Sequence, residues 1–249
     1  MKKVGFTLAE VLITLTIIGV VAALTLPALQ TNILRQQIPT SLAKAINTIE
    51  NANQLLKQQN DIRDIFRFCG NNYLECLTEN NILGAHQITA PDNIRSYNRE
   101  AISLNIQEAY ATRDNIAFYG TASIQEDSTM KPTYSLSNMT IFTDINGPSK
   151  GPNILGLDIF QLIINGRGDV FPYGGQALTA AKNSQNNENS EGNENNEGNE
   201  NNEDTALGKT WEATCNSNAV GSTENLHSGD TCAGSIVDNG YRVIYPLGG

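Results

Sequence analysis

The hydrophobic pattern changes character three times along the chain. Phe6 to Leu29 reads FTLAEVLITLTIIGVVAALTLPAL and is apolar almost throughout. A run of about 20 such residues spans a bilayer core as a helix, so residues 6–29 are predicted to form a transmembrane helix. Ile33, Leu34, Ile38, Leu42, Ile46, Ile49 and Leu56 then recur mostly at steps of three and four among Gln, Asn, Lys and Glu, which predicts an amphipathic helix over 30–58. Joined from Phe6 to Lys57, the two stretches make one helix of 52 residues, about 80 Å long. Pro27 and Pro39 each remove a helical N–H and are expected bends.

Beyond Asn115 the pattern shortens to β-branched and aromatic runs. Ile116–Tyr119 and Met139–Thr143 are predicted strands. Asn-Gly pairs at 146–147, 165–166 and 239–240 supply turn residues that tolerate positive φ. One hairpin is expected between 159–164 and 169–173 across Asn165-Gly166-Arg167-Gly168, and another between Ser235–Val237 and Tyr241–Tyr245. Residues 94–110 mix helical and strand signals and predict neither. The expected class is α+β, a long amino-terminal helix packed against a small antiparallel sheet in a head spanning 59–249.

Glu10 is the anomaly in the first stretch. An acid at such a depth costs on the order of 3 kcal/mol, so it calls for a function or a partner. It follows a basic leader, MKKVG, and the run Gly5-Phe6-Thr7-Leu8-Ala9-Glu10 closely resembles the cleavage and methylation signature of type IV pilins and type II secretion pseudopilins. The resemblance implies that a prepilin peptidase cuts after Gly5, that Phe6 is N-methylated, and that Glu10 pairs with a neighbouring subunit's amino terminus during assembly. It implies a proline-bent rod half in lipid and half along a soluble head, anchored once in a bacterial inner membrane with the head in the periplasm or in an extracellular filament. Its implied partners are other copies, other pilin-like subunits, the peptidase, membrane lipid and an inner-membrane assembly platform. Two other readings use the same residues. One is a plain membrane anchor. The other is a secretory signal peptide cut after Val21-Ala22-Ala23, leaving Leu24 first on an exported hydrolase or binding protein.

Composition narrows the rest. The 249 residues suffice for one head domain with an insertion. Residues 183–204, NSQNNENSEGNENNEGNENNED, carry no large apolar side chain and are expected to form a disordered acidic spacer. They supply −7 of the net −10, leaving −3 elsewhere and no broad basic patch for nucleic acid. Cys69, Cys76, Cys215 and Cys232 make an even set beyond a membrane segment, and local pairs, 69 with 76 and 215 with 232, are the simplest of three connectivities. Such bridges persist outside the cytoplasm. No C-x-x-C occurs, and His86 and His227 lack zinc-ligand spacing to any cysteine.

Little else points to catalysis. No G-x-S-x-G elbow and no P-loop occurs, so a structural subunit rather than an enzyme is expected, with no cofactor beyond a candidate calcium. That candidate is the oxygen-rich stretch 144–158, where Asp144, Asn146 and Asp158 can serve calcium or a structural turn. The same stretch, with Asp158-Ile-Phe and the later Gly168-Asp-Val-Phe-Pro-Tyr-Gly run, also resembles the heads of pilin-like proteins sharing this leader. Arg167-Gly168-Asp169 matches a cell-adhesion tripeptide, in a turn where glycine and aspartate are expected anyway.

Overall fold

A computed structural model describes residues 7–125, 138–175, 215 and 227–247. Gly5, Phe6 and the acidic segment 183–204 lie outside the described residues. Helix α1 runs without interruption from Leu8 to Asn60, 53 residues, about 80 Å at 1.5 Å per residue. The helical assignment passes through Pro27 and Pro39, so neither proline breaks α1. Pro39 is buried, and packing of this part of α1 against the head offsets the single missing backbone hydrogen bond. The helix ends where Asp61 takes a left-handed conformation, φ 48°, and its N–H reaches back to the Lys57 carbonyl.

Two short helices follow, α2 (Ile65–Cys69) and α3 (Tyr73–Glu79), clamped by a disulfide between Cys69 and Cys76. Strands β1 (Ala85–Gln87), β2 (Ile106–Thr112), β3 (Ala117–Gln125), β4 (Asn138–Asp144), β5 (Ile159–Asn165) and β6 (Val170–Pro172) form a six-stranded antiparallel meander in sequence order. The undecided stretch 94–110 thus divides into irregular chain and most of β2.

Both faces of the sheet are covered, which explains why β5, IFQLIIN, lacks a clean apolar and polar alternation. Phe118, Met139, Ile141, Phe160, Leu162 and Ile164 face α1, where Ile38, Leu42, Ile46, Ile49 and Leu56 are buried. On the opposite face, Ala117, Tyr119, Phe142 and Ile159 pack under Ile94 and Leu155. The apolar steps along α1 therefore become one wall of the head's core. Each fully buried Leu or Ile there contributes about 1.5–3 kcal/mol.

The β5–β6 hairpin forms over the expected residues, but its positive φ falls on Gly168 (86°), not on Gly166. A Cβ on Gly168 would lie 2.5 Å from Ile65 Cδ1 and 3.0 Å from the Asn53 Cβ, so this turn is pressed onto α1 and α2. Asn53 sits buried beneath it, donating to the Gly168 carbonyl at 2.9 Å and accepting from the Tyr73 hydroxyl at 2.5 Å. The adhesion-like tripeptide is thereby part of a docked turn, with Gly168 buried.

The second expected hairpin is not present. Cys232–Asp238 is a helix, α4, and Tyr241–Tyr245 is irregular. Ser235–Val237 is too short a β-branched run to fix a strand. Gly234 instead lets α4 lie directly on the backbone of Gly174 and Gly175, where a Cβ would come within 2.1 Å of the Gly175 nitrogen. A disulfide from Cys232 to Cys215 ties α4 to the chain before it.

Candidate functional site

The amino-terminal half of α1 is where chemistry and exposure conflict. Leu8 to Leu26 is long and apolar enough to cross a membrane, and none of it is buried inside the molecule. An apolar surface of that length is unstable in water and needs lipid or other apolar helices around it. At its start, Thr7 caps the helix. The Thr7 hydroxyl accepts from the Glu10 N–H at 3.3 Å, while the Glu10 carboxylate Oε2 accepts from the Thr7 N–H at 2.9 Å and from its hydroxyl at 2.8 Å. This reciprocal capping box satisfies two helix-end donors and holds the acid at the helix N-terminus, where the helix dipole favours negative charge. Gly5 and Phe6, the expected processing positions, lie outside the described residues, whereas Glu10 stands one turn into α1.

The second sequence candidate lies in the head. The loop between β4 and β5 brings Asp144, Asn146 and Asp158 together. Asp144 Oδ1 accepts from the backbone N–H groups of Asn146 (3.1 Å) and Gly147 (2.8 Å), and its Oδ2 accepts from the Tyr119 hydroxyl (3.0 Å). Asp158 accepts from the N–H groups of Asn153 (2.8 Å) and Ile154 (2.6 Å), with the Asn146 amide at 3.5 Å. Five backbone or side-chain N–H groups and one hydroxyl thus point at the two carboxylates. Calcium takes six to eight oxygen ligands; here N–H groups occupy part of the acceptor capacity of both carboxylates, while the Asn146 and Asn153 side-chain oxygens are buried without a hydrogen-bond partner. Among the described residues, no group of three or more His, Cys, Asp or Glu side chains is placed to hold a metal ion. The loop carries β4 into β5.

Those carboxylates are nonetheless titratable. Burial pushes the Asp158 carboxyl up to about 6, against the N–H groups of Ile154 and Asn153, which pull it down. Burial likewise raises Asp144. A carboxyl whose folded-state pKa exceeds its unfolded value contributes stability in full below the unfolded value, and that contribution disappears as pH rises through the folded value. The window here runs from about 4 to about 6. Thermal unfolding is expected to show the head more stable at pH 5 than at pH 8, by about 1.4 kcal/mol from Asp158, because only the upper half of that window lies above pH 5. Asp158→Asn should flatten that part of the slope, and an unchanged slope would exclude Asp158 as its source.

Sequence reasoning passed over a third place. The irregular segment after α4 runs beside α1 and leaves a groove of about 650 Å³ lined by Arg35, Gln36, Pro39, Thr40, Tyr241 and Arg242, among others. Its available signal was Arg35, the first charged side chain after Glu10 and the first base beyond the apolar span.

Residues 2–26 match the family model described as the prokaryotic N-terminal methylation motif. No curated protein and no solved structure matches the chain. With an unburied apolar helix beginning at Leu8, an acid held in its first turn and an α+β head beyond it, the chain carries the amino-terminal signature of type IV pilins and pseudopilins.

Proposed function

We propose that this protein is a structural subunit of a type IV pilus-like filament or a type II secretion pseudopilus. A prepilin peptidase removes residues 1–5, Phe6 becomes the methylated amino terminus, and Leu8–Leu26 holds the subunit in the inner membrane with its head outside the cytoplasm. An assembly platform then transfers the helix from lipid into a bundle of like helices. Function lies in that assembly and not in turnover.

The observation that carries this reading is an apolar helix with no burial inside its own chain, preceded by the methylation motif. Such a helix exchanges lipid for neighbouring helices with little change in its apolar surroundings. The charged groups decide the register: in a dry bundle an unpaired carboxylate or ammonium is costly, and pairing Glu10 with a neighbour's Phe6 amine removes both penalties. Mass spectrometry of the mature protein from its native membrane tests the reading. A methylated Phe6 is expected; a chain beginning at Leu24 would replace the filament subunit with an exported protein released from its signal peptide.

A further inference from the structure

The groove beside α1 differs from the rest of this acidic molecule. Two of its lining residues, Arg35 and Arg242, are basic, and among the described residues no Asp or Glu lines it, although the chain carries a net charge of −10. Arg35 links its two walls, donating from Nη1 to the Val243 carbonyl at 2.9 Å. That hydrogen bond uses one of five guanidinium N–H groups. Arg242 is exposed.

Beside these bases stand apolar side chains turned to the outside. Tyr241 is 42% and Ile244 48% exposed, and Ile33 and Leu34, directly before Arg35 on α1, are 43% and 44% exposed. Tyr241 also has φ 58°. A left-handed conformation is unusual for a residue other than Gly, Asn or Asp and costs on the order of 1 kcal/mol, so the fold maintains it against local preference.

Position along α1 gives the patch its setting. Arg35 lies nine residues beyond Leu26, where the membrane-length span ends, about 13–14 Å of helix rise. The headgroup layer on each side of a bilayer is about 5–8 Å thick. Helical side chains lean toward the amino terminus, which here is toward the membrane, and an arginine stem can extend its head to the phosphate level.

We propose that this groove is a membrane seat for the head: Arg35 and Arg242 hold the phosphate of a phospholipid headgroup in the leaflet from which α1 emerges, with Tyr241 beside them in the headgroup layer. The inference rests on the reading that Leu8–Leu26 spans a bilayer. Paired bases and a tyrosine beside a span are the chemistry of an interfacial anchor. Before assembly, the seat fixes the height and tilt of the head above the membrane.

Hydrogen exchange measured by mass spectrometry on the full chain tests it. The chain is placed in nanodiscs of phosphatidylethanolamine and phosphatidylglycerol, and separately in nanodiscs of uncharged, phosphate-free galactolipid. Amides of 239–247 are expected to exchange more slowly in phospholipid, and Arg242→Gln to lose about fivefold of that protection. Tyr241→Gly, which suits the positive φ and so does not endanger folding, should weaken it as well. Equal exchange in both lipids, indifference to both substitutions, or protection that arises only in assembled filaments would overturn the seat; the last outcome would assign the groove to a neighbouring subunit. The intact mass of native material separates this from the functional reading. A start at Leu24 overturns both, whereas a methylated Phe6 with lipid-indifferent exchange overturns the seat alone.

Discussion

Glu10→Ala is expected to yield a chain that is still cut after Gly5 and still inserts in the membrane, yet enters filaments roughly a hundredfold less. The sheared filament fraction, compared with the total mature protein by immunoblot, reads this directly. Removing one partner of a buried charge pair costs about 3–5 kcal/mol, because the other charge is left unpaired in a dry environment, and about 3 kcal/mol corresponds to roughly a hundredfold in an equilibrium. Membrane insertion should not suffer, since the substitution removes a charge from the span. Within a single chain the Glu10 carboxylate is engaged by the Thr7 N–H and hydroxyl. On the proposed function, assembly exchanges an internal capping contact for a full opposite charge. Thr7→Val separates the two contributions: it loses the cap hydroxyl, worth about 1 kcal/mol, and should lower incorporation about fivefold at most. Should Thr7→Val prove as damaging as Glu10→Ala, the defect would come from helix capping and the pairing role of Glu10 would fail.

Gly234→Ala is expected to destabilise the head by about 3 kcal/mol or more, the upper end of overpacking effects. The new Cβ would lie 2.1 Å from the Gly175 nitrogen and 2.3 Å from the Gly174 carbonyl carbon, and both obstacles are backbone. No side-chain rotation can relieve the contact, so α4 has to lift from the β6 turn and disturb Ile236 and Cys232, both fully buried. Urea unfolding of the wild-type and substituted proteins measures the loss. Gly84→Ala is the matched control: a Cβ there meets nothing within 4 Å, and stability should be unchanged or slightly higher. A near-zero effect of Gly234→Ala would mean that α4 does not pack on Gly174 and Gly175 as described.

These two sites differ in how far the sequence reveals them. Glu10 stands out because one charged residue in an apolar run is conspicuous without knowing any contact. The amphipathic half of α1 was equally plain, since Leu42, Ile49 and Leu56 repeat at the helical period and are fully buried. The β5–β6 hairpin was legible from its turn residues. Helix α4 was not: its seven residues, CAGSIVD, carry no clear period and precede an Asn-Gly pair that suggests a hairpin. In the structure Gly240 does take a positive φ (65°), as does Tyr241, but they lead out of a helix rather than between strands. The Asp144–Asp158 loop was recognised as a cluster of oxygens, yet only its three-dimensional arrangement reveals that N–H donors surround them.

By itself the sequence determined the apolar span, its acid, the long helix and the strands from β3 to β6, because each depends on composition or on a local pattern of residues. Tertiary structure alone decided the fate of α4, the burial of Pro39, the hydrogen bond from the Tyr119 hydroxyl to Asp144, and the meeting of Arg35 with the Val243 carbonyl across a groove. Each of those depends on residues distant in sequence coming within a few ångströms. Contacts of that kind have no local signature: whether a short segment coils, extends or turns inward is settled by the backbone or side chain it meets after the chain has closed on itself.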